Sequence, residues 1–248
     1  MAYLSRWDLE QIAYRVTQAY ARKVGVKYAD LDRVVPETVL QDVLGLRIQY
    51  EHLSLDGNTL GITGFDDTEV GVYDDGQEGD MVKLDGKTVL IERDLLYYDK
   101  TGRRNFTLLH EGGHHVLFML FPKEYPTGSP ARTVKYYREH KTNGFNALEW
   151  QCDTLAAAIL MPSDLVRRLC AAHGITKRIK TVNGVDHREE RKAFCAVSES
   201  LGASLQALAI RMRQLGLLED SRLEKPQNIM DIVVGDDEYY ANADKPNC

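Results

Sequence analysis

The stretch RNFTLLHEGGHH, residues 104–115, decides how the rest of the chain is read. From Arg103 to Phe121 the apolar residues Phe106, Leu109, Val116, Leu117 and Leu120 recur at helical spacing, which predicts a helix. On a helix, residues four apart share a face, so His110 and His114 sit one turn apart and can grip one cation. Glu111 then faces the open side of that cation, where a carboxylate can take the proton of an activated water and pass it to a leaving amine. Gly112 and Gly113 lie inside this helix, where each glycine costs about 0.8–1 kcal/mol relative to alanine. A strand or a substrate backbone approaching closely is the expected reason for them. His115 points about 100° away around the helix and reads as structural.

A catalytic zinc site needs a third protein ligand and an open fourth position. The best candidate lies in EWQCDTLAAAILMP, residues 149–162, the core of a helix predicted from Ala147 to Met161 and stopped by Pro162. Glu149 and Asp153 share a face of it. Glu149 can ligate, while Asp153 accepts a hydrogen bond from the far nitrogen of a ligating histidine. A solvated acidic face is the plain alternative, and the apolar run behind the pair weighs against it, since unpaired carboxylates are costly in a buried helix. Cys152 reads as a small core residue. Two imidazoles and a carboxylate favour Zn2+, and Mn2+ suits the same ligands.

Together the two blocks resemble the ImmA/IrrE family of metallopeptidases, which is related to gluzincins such as thermolysin. The Phe-Thr before the first histidine, the glutamate of the later helix and the closing Leu-Met-Pro all fit that pattern, and the resemblance spans roughly residues 8 to 218. It implies a zincin-like fold with His110, His114 and Glu149 as metal ligands, Glu111 as general base and Asp153 behind the ligands. It also implies a narrow regulatory task, the cutting of a transcriptional repressor encoded beside the peptidase on a mobile element.

Outward from these blocks, the chain reads as one α+β metallopeptidase domain over 1–218, in which a small antiparallel sheet packs beside the HExxH helix and the C-terminal part is helical. Residues 5–45 hold N-terminal helices. The first is capped by Ser5 with Asp8 and carries Leu9, Ile12, Ala13, Val16 and Tyr20 on one face up to Gly25, and a second runs from Pro36 to Gly45. Residues 46–98 hold the sheet, with runs such as RIQYEHL and EVGVY and a hairpin joining MVKL to TVLIE around Asp85-Gly86. Residues 103–162 carry the metal-binding helices with an insertion at 122–146, and 163–218 carry helices, the first capped by Ser163 and ending near His173 and Gly174. Residues 219–248 form an acidic, mobile tail.

The insertion contains ARTVKYYREHK and is expected to border or cover the cleft. Tyr136, Tyr137 or His140 can be placed at a developing oxyanion, although a surface helix without catalytic function fits the same residues. Residues 188–218 read as two helices around Gly202-Ala203-Ser204. They pack on the catalytic helices or, in the competing reading of a non-enzymatic regulator, bind DNA or protein.

A net charge of −6 argues against a protein built to coat nucleic acid. The start lacks a signal-peptide pattern and no apolar run is long enough for a membrane span, so a cytoplasmic protein is expected. Four scattered cysteines without a CxxC pair read as free thiols.

Overall fold

The structure, a computed structural model, describes residues 4–74, 77–124, 133–137, 146–182, 188–221 and 223. Helix α1, Arg6–Lys23, starts at Ser5, whose side chain and that of Asp8 form the expected capping box. Helix α2, Pro36–Thr38, runs on as a wider π-helical turn over Val39–Val43 and stops before Gly45, whose φ of +69° suits a residue without a Cβ. Strands β1 (Arg47–Glu51), β2 (Thr59–Gly64), β3 (Asp67–Asp74), β4 (Gln77–Asp85) and β5 (Thr88–Glu92) follow. Helix α3 is Thr101–Leu120, and strand β6, Thr133–Tyr137, precedes α4, Ala147–Leu160. Helices α5 (Ser163–Ala172), α6 (Arg188–Leu201) and α7 (Leu205–Gln214) complete the order.

The class is α+β, but the sheet differs from the one expected. Four strands lie in the order β1-β5-β2-β6, with β1 and β5 parallel and the other pairs antiparallel, while β3 and β4 form a separate antiparallel pair. The hairpin expected at Asp85-Gly86 is therefore not one: the turn hands the chain from one sheet to the other. Asp85 accepts hydrogen bonds from the Lys87 amide and the Thr88 hydroxyl and pairs with Arg47, which fixes that turn locally. Burial gives the deeper reason. Every residue of β5 is buried, so it needs neighbours on both edges and cover on both faces, whereas β3 shows the alternation of a strand with one wet face.

One apolar core runs from Leu9 on α1 through Leu108 and Leu109 on α3 and Leu155 and Ile159 on α4 to Leu208 and Met212 on α7. A smaller cluster of Leu53, Ile62, Val70, Val72, Leu84 and Leu90 joins the two sheets. Arg211 on α7 is almost wholly buried; its Nε donates to the Met161 carbonyl at 2.9 Å and its guanidinium forms a two-pronged pair with Glu10 on α1. It is thus drawn into the core and not left on a surface for nucleic acid.

Two smaller expectations also change. Ser163 begins α5 instead of capping it, because Pro162 takes the cap position, while His173 does lie at the helix C-terminus before Gly174. Cys152 and Cys170 are buried thiols outside any disulfide, but Cys195 is disulfide-bonded, so not all four cysteines are thiols. No single helix among the described residues is long and apolar enough to cross a membrane. Of the acidic tail, residues 222 and 224–248 lie outside the described residues.

Candidate metal centre

Helices α3 and α4 lie against each other, and α3 also backs onto β2. A Cβ added to Gly113 would sit 3.5 Å from the Cys152 carbonyl oxygen on α4, and one on Gly112 would sit 3.1 Å from the Leu40 side chain. The close neighbours of these glycines are therefore helix α4 and the turn after α2, where a strand or substrate backbone was expected.

This approach brings the side chains of three residues together: ligand atoms of His110, His114 and Glu149 all lie within 4.8 Å of one another. The two Nε2 atoms are 3.1 Å apart, and the Glu149 carboxylate reaches them at 3.1 Å and 3.6 Å. Both imidazoles are fully buried and the Glu149 side chain is only 13% exposed, so Glu149 is no solvated surface charge. Asn146 caps α4 by accepting from the Leu148 and Glu149 amides, which fixes the turn that carries the ligand.

The outer nitrogens of the histidines are held from behind. His110 Nδ1 lies 2.8 Å from Asp153 Oδ1, one turn beyond Glu149, as expected. His114 Nδ1 lies 3.2 Å from Cys152 Sγ. With Nδ1 protonated and donating to the carboxylate or the sulfur, each ring offers its Nε2 lone pair inward, which is the tautomer a metal requires. Cys152 is thus more than a packing residue.

Electrostatics give the same picture. Burial pulls His110 down, but hydrogen bonds to Asp153 and Glu149 outweigh it and hold the group up at about 9. Burial holds His114 well below the usual range, helped by repulsion from His110 and His115. One imidazole keeps a proton and the other does not, so the buried set draws a single positive charge to its centre. A divalent cation fits the same donors and would displace that proton.

Glu111 is fully buried on the next residue of α3. Thr63 of β2 donates its hydroxyl to Oε2, whereas Oε1 has no hydrogen-bond partner among the described residues. Burial pushes this carboxyl up to about 7, against the pull of His110 and the Thr63 hydroxyl. Space for it comes from Gly61, where a Cβ would collide with Oε1 at 2.3 Å. Neither Gly61 nor Thr63 was expected here, and a glycine inside a strand was the available signal, since it marks close approach of another group.

The insertion contributes a strand, β6, where a surface helix was the plainer expectation. It pairs with β2, setting Tyr136 opposite Gly61, and the Tyr136 ring lies on His110 with centroids 3.9 Å apart. Burial raises the Tyr136 phenol above its ordinary range, which keeps it neutral. Tyr137 is the last residue of the strand, and His140 lies outside the described residues. His115 is buried with its ring edge-on to Phe65. No protein-family model matches the chain, and no curated protein matches it.

Proposed function

We propose that the chain is a metallopeptidase of zincin-like type. More particularly, it is a zinc endopeptidase resembling the ImmA/IrrE family that cuts one intracellular protein, a transcriptional repressor encoded beside it on a mobile element, in the cytoplasm. One observation carries the reading: a buried carboxylate oxygen, Glu111 Oε1, stands unpaired next to three converging ligand atoms. A structural metal site has no use for that oxygen, and a general base does.

On this reading His110, His114 and Glu149 would hold the ion, with zinc favoured by the donor set and manganese able to share it. A bound zinc supplies Lewis acidity, lowering the pKa of water to roughly 7 and polarising a carbonyl. Glu111 Oε1 takes the proton of the attacking water while Thr63 holds Oε2 in place, and Glu111 then returns the proton to the departing amine. A carboxyl titrating at about 7 is matched to both halves of that task near neutral pH. Asp153 and Cys152 keep the imidazoles in the ligating tautomer. Tyr136, whose ring lies on His110, would donate its hydroxyl to a substrate oxygen.

The test is incubation of the full chain with the candidate repressor. Cleavage is expected with zinc, lost with a chelator and restored by added zinc. Intact repressor under all three conditions, in protein carrying stoichiometric zinc, would overturn the proposal. The competing reading as a DNA-binding regulator draws little from α6 and α7, whose Phe194, Leu201, Leu208, Arg211 and Met212 are buried in the core.

A further inference from the structure

His110, Glu111 and His114 are each 0% exposed, and the Glu149 side chain is nearly buried as well. A centre closed to this degree receives neither a metal ion nor a peptide until something around it moves. A neighbouring cavity shows where. It holds about 510 Å³ between β2, α3, α4 and α7, within the size range of ligand pockets, yet none of those four residues lines it. Tyr136 and Asp153 do line it, and both also touch His110. These two side chains therefore stand between the cavity and the metal centre.

They are held in different ways. Asp153 belongs to α4, which packs against both α1 and α3, and its carboxylate is tied to His110 Nδ1 at 2.8 Å. Tyr136 belongs to β6, five residues at the sheet edge with β2 as their one neighbour among the described strands. The pairing is irregular at the tyrosine itself: Gly61 faces Tyr136 and Thr59 faces Tyr137, which leaves Leu60 out of register. Such a bulge locally disrupts the hydrogen-bond ladder. Gly61, the residue that makes room for Glu111, also presents no side chain to Tyr136, so the opposite partner that would steady the ring on the sheet is missing. Of the two partitions, the tyrosine is the one that can swing.

We propose that Tyr136 is a gate between this cavity and the metal centre. The Tyr136 end of β6 parts from β2, the ring leaves His110, and the buried ligands open onto the cavity. Metal and substrate enter by that route, and reclosure returns the phenol to the reacting atoms. The substrate half of this inference rests on the peptidase reading, whereas the gate itself is measurable without turnover.

Two measurements on the full chain test it. In hydrogen exchange, with and without zinc, the β6 amides should exchange through a local opening that leaves α3 and α4 protected. Exchange of β6 only on global unfolding would overturn the gate. The second measurement is the rate at which excess EDTA strips zinc from zinc-loaded protein. Tyr136→Ala should speed it by about tenfold, the upper worth of one aromatic contact, while Tyr136→Phe keeps the ring and should match the wild type.

A cross-link supplies the converse. Thr59 and Tyr137 are paired across the two strands, and residues so paired lie within disulfide reach. Thr59→Cys with Tyr137→Cys, oxidised, should hold zinc against EDTA and lose cleavage, and reductant should restore both. Every metal ligand stays in place in that variant, so slowed stripping there is not the mark of a weakened site. Wild-type stripping rates in either Tyr136→Ala or the cross-linked form would overturn the gate. Gated zinc removal in protein that cuts no repressor would leave the gate standing and remove the peptidase reading. Wild-type cleavage by the cross-linked form would do the reverse.

Discussion

His110, His114 and Glu149 form one group of metal-binding donor types, and His52, Glu92 and Asp94 form another, each with ligand atoms within 4.8 Å. In the second group the donors are already engaged. Buried Glu92 accepts the Leu53 amide at 2.8 Å through one oxygen, and through the other it accepts the Asp94 amide and faces His52 Nδ1 at 3.0 Å. It braces the end of β5 and the turn over Arg93–Leu96. In the first group the outward nitrogens are held by Asp153 and Cys152, and the inward donor atoms, the two Nε2 atoms and the Glu149 carboxylate, face one another. Donor types and proximity are thus shared; what separates the groups is that the second is tied to backbone amides through Glu92, whereas the inward donors of the first meet each other.

The largest effect should come from Glu111→Gln. It keeps size and polarity, so zinc stoichiometry should hold while repressor cleavage falls by at least about 10²–10⁴-fold. In the wild type, cleavage should rise with pH through an acid limb at or just below about 7, because a base works only when deprotonated and a bound cation favours the carboxylate. Full cleavage at pH 5, or wild-type cleavage by Glu111→Gln, would remove the difference in chemistry between the two groups.

Next in size is Asp153→Ala, which frees His110 Nδ1 and should weaken zinc binding or activity by roughly 10–100-fold. An unchanged zinc titration together with unchanged cleavage would make Asp153 a bystander. Smallest for the metal is Glu92→Ala, which strands the Leu53 amide. It should lower unfolding stability by about 1–3 kcal/mol in a denaturant titration and leave zinc affinity as it was. A loss of zinc instead would make the second group a site as well.

The helices that carry the candidate ligands were legible because helical spacing is a local rule: His110 with His114, and Glu149 with Asp153, each fall one turn apart, and AAAILMP marks the second helix as buried. The sheet was less legible. A turn signal at Asp85-Gly86 says that the chain bends, but not which strand it joins next, and only the full burial of TVLIE points to a central strand. Gly61 and Thr63 escaped for a related reason, and Tyr136 was singled out without the strand that carries it. Gly61 and Thr63 reach Glu111 through the packing of β2 on α3, Tyr136 reaches His110 through the pairing of β2 with β6, and no periodicity encodes contacts between segments so far apart.

The central claim is that one group holds the ion and the other does not, and native mass spectrometry of zinc-loaded protein addresses it most directly. Wild type and His52→Ala should each carry one zinc per chain and His114→Ala none. Zinc retained by His114→Ala, or lost only from His52→Ala, would contradict the account.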